Sequence, residues 1–156
     1  MIKAFILAGT HLATLAAGFA LGIYLLPILT APPAPTTTEI RSAMDGAAFR
    51  GKFDRNLPGS DFLHWGEGEV VVGKSRIVHQ GRLAPGPDYK VYLAKSFVDT
   101  KQGFRAIKQQ SVRLGDVKTF NGFIVDVPSG VDVTAYTTVV VWCEAFSQFI
   151  SAAKYR

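Results

Sequence analysis

The stretch that most restricts the fold is Tyr136 to Phe149, YTTVVVWCEAFSQF. Its threonines, three consecutive valines and tryptophan are stiff at χ1 or bulky, and such residues fit a pleated surface better than a helix. In a strand, Val139, Val141 and Cys143 share one face while Val140, Trp142 and Glu144 share the other. A carboxylate resists burial, so the Val–Val–Cys face is assigned to the core. The run reads as a long C-terminal strand that continues past Phe146 into a last strand ending at Ala152.

The preceding residues repeat the theme of short strands between turns. Phe49 to Asp54 reads as a strand, and Asn56-Leu57-Pro58-Gly59-Ser60 as a turn cluster. Gly68 to Val72 and Arg76 to Gln80 read as a hairpin around Gly73-Lys74-Ser75. Pro85-Gly86-Pro87-Asp88 is a turn leading into Tyr89–Ala94, where Tyr89, Val91 and Leu93 share a face. Phe97 to Lys118 is less regular, with alternation only around Val112 and Leu114. Phe123 to Val127 follows the Asn121-Gly122 turn. Evenly spaced turn signals, with no convincing amphipathic helix after the N-terminal segment, indicate a mainly β chain: an antiparallel sandwich or barrel-like domain, preceded by one transmembrane helix.

That helix is Ala4 to Leu29, apolar apart from Thr10, His11, Thr14 and a few glycines. At ~1.5 Å per residue it is long enough to cross ~30 Å of hydrocarbon with some tilt. Only Lys3 and the α-amino group precede it, a minimal signal for a cytoplasmic N-terminus. A cleaved signal peptide is the competing reading. Its nearest cleavage site, Leu29-Thr30-Ala31, has a large residue and is followed by Pro32, so an uncleaved anchor is favoured. Gly18 and Gly22 lie on one helix face, where small residues would let two copies approach as a homodimer. His11 is expected to be hydrogen-bonded locally. Ala31 to Glu39, APPAPTTTE, is expected to be an extended spacer, and Ile40 to Phe49 a short helical or irregular lead-in. The organisation is thus a signal anchor over 1–30, a Pro/Thr-rich linker over 31–45 and a β domain over 46–156. The domain is expected outside the cytoplasm, in the periplasm or at the cell surface.

Lysine and arginine number 17 against 12 acidic residues, for a net charge of +5. The positive charges are scattered, the densest group being Lys101, Arg105, Lys108, Arg113 and Lys118. No nucleic-acid motif accompanies them, so nucleic acid is not a partner on this reading.

A single cysteine cannot form an internal disulfide. Burial would raise the pKa of Cys143 and make it inert, because the thiolate is the reactive form. Copper ligation by Cys143, His64, His79 and Met44 has the right donor types but not the spacing, and no metal is assigned. His64, beside Trp65 in Leu63-His64-Trp65-Gly66-Glu67-Gly68, could contact a ligand or cap a turn. His79 reads as a core-edge histidine. No esterase elbow, P-loop, dinucleotide fingerprint or zinc-protease motif is present, which argues against an enzyme. No cofactor is read from the sequence.

Several of these features together resemble the DM-thirteen, or electron transfer DM, family. They are Gly86-Pro87-Asp88 running into Tyr92-Leu93, the Val127-Pro128 turn, Val141-Trp142-Cys143 followed by Phe146 and Phe149, and His64 with Gly68 ahead of the first hairpin. The resemblance covers roughly Gly46 to Ala153. It implies a compact β-sandwich-like domain and a redox or electron-transfer role for the cysteine that Cys143 matches; Trp142, His64 and Trp65 are the candidate binding residues. One thiol cannot cycle alone, so the role would need a protein redox partner, a metal or a sulfenic acid step. Relatives often carry DOMON domains, and none is read here. The alternative is a non-enzymatic β-sandwich that binds a ligand or protein in the cell envelope.

Overall fold

A computed structural model describes all of residues 1–156. Helix α1, Ile2–Thr30, has a mean hydropathy of 2.1 over its most apolar window and is long and apolar enough to cross a membrane. Its polar side chains turn back on its own backbone. Thr10 Oγ1 donates to the Leu7 carbonyl at 2.9 Å, Thr14 Oγ1 to the Thr10 carbonyl at 2.9 Å, and His11 Nδ1 lies 2.7 Å from the Leu7 carbonyl. Internal satisfaction of this kind is what a hydrocarbon surrounding demands.

The extended spacer ends earlier than the sequence reading has it. Thr36 caps a second helix, α2 (Thr37–Met44), through a capping box. The Thr36 hydroxyl accepts from Glu39 N–H at 3.2 Å, and the Glu39 carboxylate accepts from Thr36 N–H at 2.7 Å. Three successive threonines suggested extended chain, but Thr-x-x-Glu ahead of apolar residues is a helix start. Ile40 and Met44, one turn apart, bury against Val71 and Val78 of the β domain. Thr36→Ala is expected to lower stability by about 1 kcal/mol, seen as a lower urea midpoint at unchanged slope.

Eight strands follow: β1 Phe49–Phe53, β2 Gly66–Val72, β3 Arg76–Leu83, β4 Tyr89–Ala94, β5 Val112–Val117, β6 Phe123–Asp126, β7 Thr138–Cys143 and β8 Gln148–Lys154. They form two antiparallel sheets of four, ordered β1-β2-β3-β6 and β5-β4-β7-β8. The expected sandwich is present, and its sheet edges approach each other, β1 beside β8 and β5 beside β6. The long C-terminal strand is in fact a hairpin. β7 and β8 are joined by Glu144–Ser147, with Ser147 at φ 47°. This turn has no Gly, Pro, Asn or Asp to announce it.

The main core lies between the sheets. Val70, Ile77, Phe53 and Phe123 on one side meet Val91, Leu93, Val139, Val141 and Cys143 on the other. The assignment of the Val–Val–Cys face to the core is therefore correct, but the opposite face is buried as well. Val140 and Trp142 pack under a third helix, α3 (Lys101–Ile107), which inserts Phe104. This helix occupies the stretch read as irregular, and corrects the expectation of no helix after the anchor region. At seven residues it is too short to show a period, and Thr100 caps it by accepting from Gly103 N–H at 3.1 Å. α3 over the outer face and the inter-sheet core on the inner face together explain why β4 and β7 are buried along their whole length.

His79, on β3, sits inside the sandwich rather than at its edge. Its ring lies between Phe53 and Phe123, with centroid separations of 5.1 and 5.0 Å. Gly68 and Gly81 face each other across β2 and β3 next to it. A Cβ on Gly81 would overlap the Glu67 carbonyl and the imidazole, so the space the ring occupies exists because that position has no side chain.

Candidate functional site

One end of the sandwich carries an apolar cavity of about 480 Å³. β4 begins there with Tyr89, β7 ends there with Cys143, and β8 begins there with Gln148 and Ile150. The Pro85-Gly86-Pro87 turn, the Leu63-His64 loop and Phe146 complete the β-domain side. The fourth wall is α1, through Ala20, Leu21, Ile23 and Tyr24. No Lys, Arg, Asp or Glu lines it.

Local chemistry fixes each part. Gly86 is required because the Tyr89 ring lies flat against it, where any Cβ would clash. The turn is held by Asp88, whose carbonyl accepts from Glu144 N–H at 2.9 Å. Asp88 also pairs with Lys90 at 2.6 Å, and Lys90 reaches Asp116 at 2.9 Å. On the loop side, Asp61 makes an Asx turn, accepting from Leu63 N–H at 2.7 Å and His64 N–H at 2.8 Å. Its other oxygen lies 2.8 Å from His64 Nδ1. Burial alone would raise the Asp61 pKa, but the hydrogen bonds from His64 and the loop amides hold it below the usual carboxylate range. With Nδ1 committed to Asp61, Nε2 is the imidazole atom that can accept a proton or a hydrogen bond.

Cys143 is only 2% exposed but faces this cavity. Burial pushes its pKa above the ordinary 9.0, while backbone N–H groups of Phe146, Asp88 and Ala145 turned toward the sulfur work the other way. At neutral pH it is a thiol. The amides of Ala145 and Phe146 are positioned by the Glu144 side chain, on the other face of β7. That carboxylate accepts from Tyr92 Oη and from Lys108 Nζ, the latter at 2.6 Å. Burial would raise the Glu144 pKa, but these partners hold it down. Burial, with the Glu144 bond added, raises the Tyr92 phenol.

The structure thus brings Cys143 and His64 to one cavity and places the two tryptophans elsewhere. Trp142 faces α3, its ring 5.1 Å from that of Phe104. Trp65 is clamped under Arg55, whose guanidinium carbon is 3.6 Å from the ring centroid. Met44 ends α2 and packs on Val71 and Val78, and His79 lies inside the sandwich, so neither joins Cys143, and no group of three or more His, Cys, Asp or Glu side chains is disposed to hold a metal ion. Sequence reading missed Tyr89, Phe146, Gln148 and the contribution of α1. The Pro85–Asp88 turn was visible only as a turn, and the Phe146 position depends on a hairpin the sequence conceals.

Compared with protein-family models, residues 57–155 match the one described as electron transfer DM13. Comparisons with curated proteins and with solved structures returned no match.

Proposed function

The chain belongs to the electron transfer DM13 family, and on that footing we propose that it is a membrane-anchored redox accessory module whose working group is the Cys143 thiol. In this reading α1 crosses the bilayer with its N-terminus in the cytoplasm, and the β domain stands outside. The observation that supports it is that the only cysteine, packed at the end of the core, also lines an open apolar cavity. His64 lines the same cavity. Since the sulfur cannot form an internal disulfide, the oxidised state is a mixed disulfide with a partner or a sulfenic acid.

The test is thiol trapping in the native protein. A small neutral maleimide should label Cys143, and a bulky charged thiosulfonate should not until the domain is denatured. Because burial raises the thiol, the labelling rate should keep climbing through pH 9 instead of levelling off there. If neither reagent reacts before denaturation, the thiol has no working access and the proposal fails. Cys143→Ser should keep the fold and lose the redox activity.

A further inference from the structure

We infer that the cavity beside Cys143 is a binding site for a neutral, membrane-dissolved molecule of the quinone class. This rests on the reading of α1 as an anchor and of the domain as a redox module, and it names the ligand of that site.

Position comes first. α1 is 29 residues long, about 43 Å at ~1.5 Å per residue, against a hydrocarbon thickness of about 30 Å. With Lys3 at the inner boundary, hydrocarbon covers about twenty residues and ends near Ile23 and Tyr24. Tyrosine favours that interface. The α1 residues that wall the cavity are therefore those at the outer margin of the bilayer. A molecule dissolved in the membrane can pass into the cavity without crossing water.

Charge narrows the class. No charged side chain lines the walls, so nothing there offsets a phosphate or a choline. Phospholipid head groups would be desolvated without compensation, which is costly. A neutral molecule is not. Shape narrows it again: Pro85, Pro87, Tyr89 and Phe146 present flat faces. The volume of about 480 Å³ falls in the range of small-molecule sites and suits one substituted ring with the start of a tail. The polar groups on the walls include donors: the Cys143 S–H and the Gln148 amide, with His64 able to donate when protonated. Quinone carbonyls only accept. Finally, the thiol is 2% exposed and lines the cavity, so a molecule bound there lies against it.

The experiment uses the full-length chain in phosphatidylcholine vesicles and a photoreactive azide of a fully substituted benzoquinone bearing a short saturated tail. Labelling should saturate and map to peptides around Pro85–Tyr89 and Cys143–Ile150. The unlabelled quinone should displace it, while the tail alcohol and cholesterol should not. Ala20→Trp, which fills the cavity from the α1 side, should weaken labelling by about tenfold or more while the melting temperature stays unchanged. Non-saturable labelling, equal competition by the tail alcohol or the sterol, or full labelling of Ala20→Trp would each overturn the assignment. Cys143→Ser separates this inference from the one it rests on. Labelling that survives in that variant while the wild-type thiol proves unreactive removes the redox reading alone; a reactive thiol without labelling removes the quinone alone.

Discussion

Replacing Trp142 by alanine is expected to destabilise the β domain by about 3–5 kcal/mol, enough to unfold a domain of ordinary stability. The indole is 1% exposed and sits on the α3 side of β7, with Tyr92, Val140, Phe104 and Phe149 around it. α3 has only seven residues and no stability of its own, so its attachment depends on this aromatic cluster. Because the Trp142 Nε1–H has no hydrogen-bond partner, the loss is almost purely one of packing. That sets up a contrast. Trp142→Phe deletes ring volume but also removes a buried unsatisfied donor, and should lose clearly less than the alanine variant. Urea denaturation of the three proteins, followed by tyrosine fluorescence or circular dichroism, measures both differences. Equal losses for Phe and Ala would overturn the packing account of this position.

The second large effect is acid destabilisation through His79. Its Nε2–H donates to the Glu67 carbonyl at 2.9 Å, and its Nδ1 has no partner. Protonation would place a charge and an unpaired donor between two phenylalanine rings. Burial therefore drives the pKa from 6.5 to about 4, with the Glu67 bond opposing only weakly. In the unfolded chain the ring protonates near 6.5, so between 6.5 and about 4 the unfolded state binds more protons. Stability is full above 6.5 and falls as pH drops through that window, by about 3 kcal/mol in all and roughly 1.4 kcal/mol by pH 5.5. Urea midpoints at several pH values should show this slope, and His79→Leu should flatten it. Depressed carboxylates such as Asp61 and Glu144 add their own loss at lower pH, but they do so in both proteins. An unchanged slope in His79→Leu would assign the effect elsewhere.

How far the sequence could be read depended on what kind of signal each feature leaves. Strands β2, β3, β4 and β6 were legible because alternation and Gly- or Pro-marked turns are local. Helix α1 was legible because its apolar run is long. What escaped were elements decided by tertiary packing. α3 is stabilised by one buried phenylalanine and a threonine cap, and the β7–β8 turn by Glu144 reaching Tyr92 and Lys108 across the sheet. The same holds for the site. Cys143 and His64 stood out as residue types, but their common cavity arises only once β7, the Asp61–His64 loop and α1 meet at one end of the sandwich. Trp142 and Trp65 stood out equally and were drawn into structural contacts instead.

The approach of strand edges, β1 toward β8 and β5 toward β6, bears on how such a domain avoids joining its neighbours. If α1 anchors the chain as proposed, copies are confined to two dimensions, where neighbours meet far more often than in free solution. An open sheet margin would then template intermolecular ladders and seed fibrils. Turning each margin toward another of the same molecule obstructs the approach of a foreign strand to the backbone there.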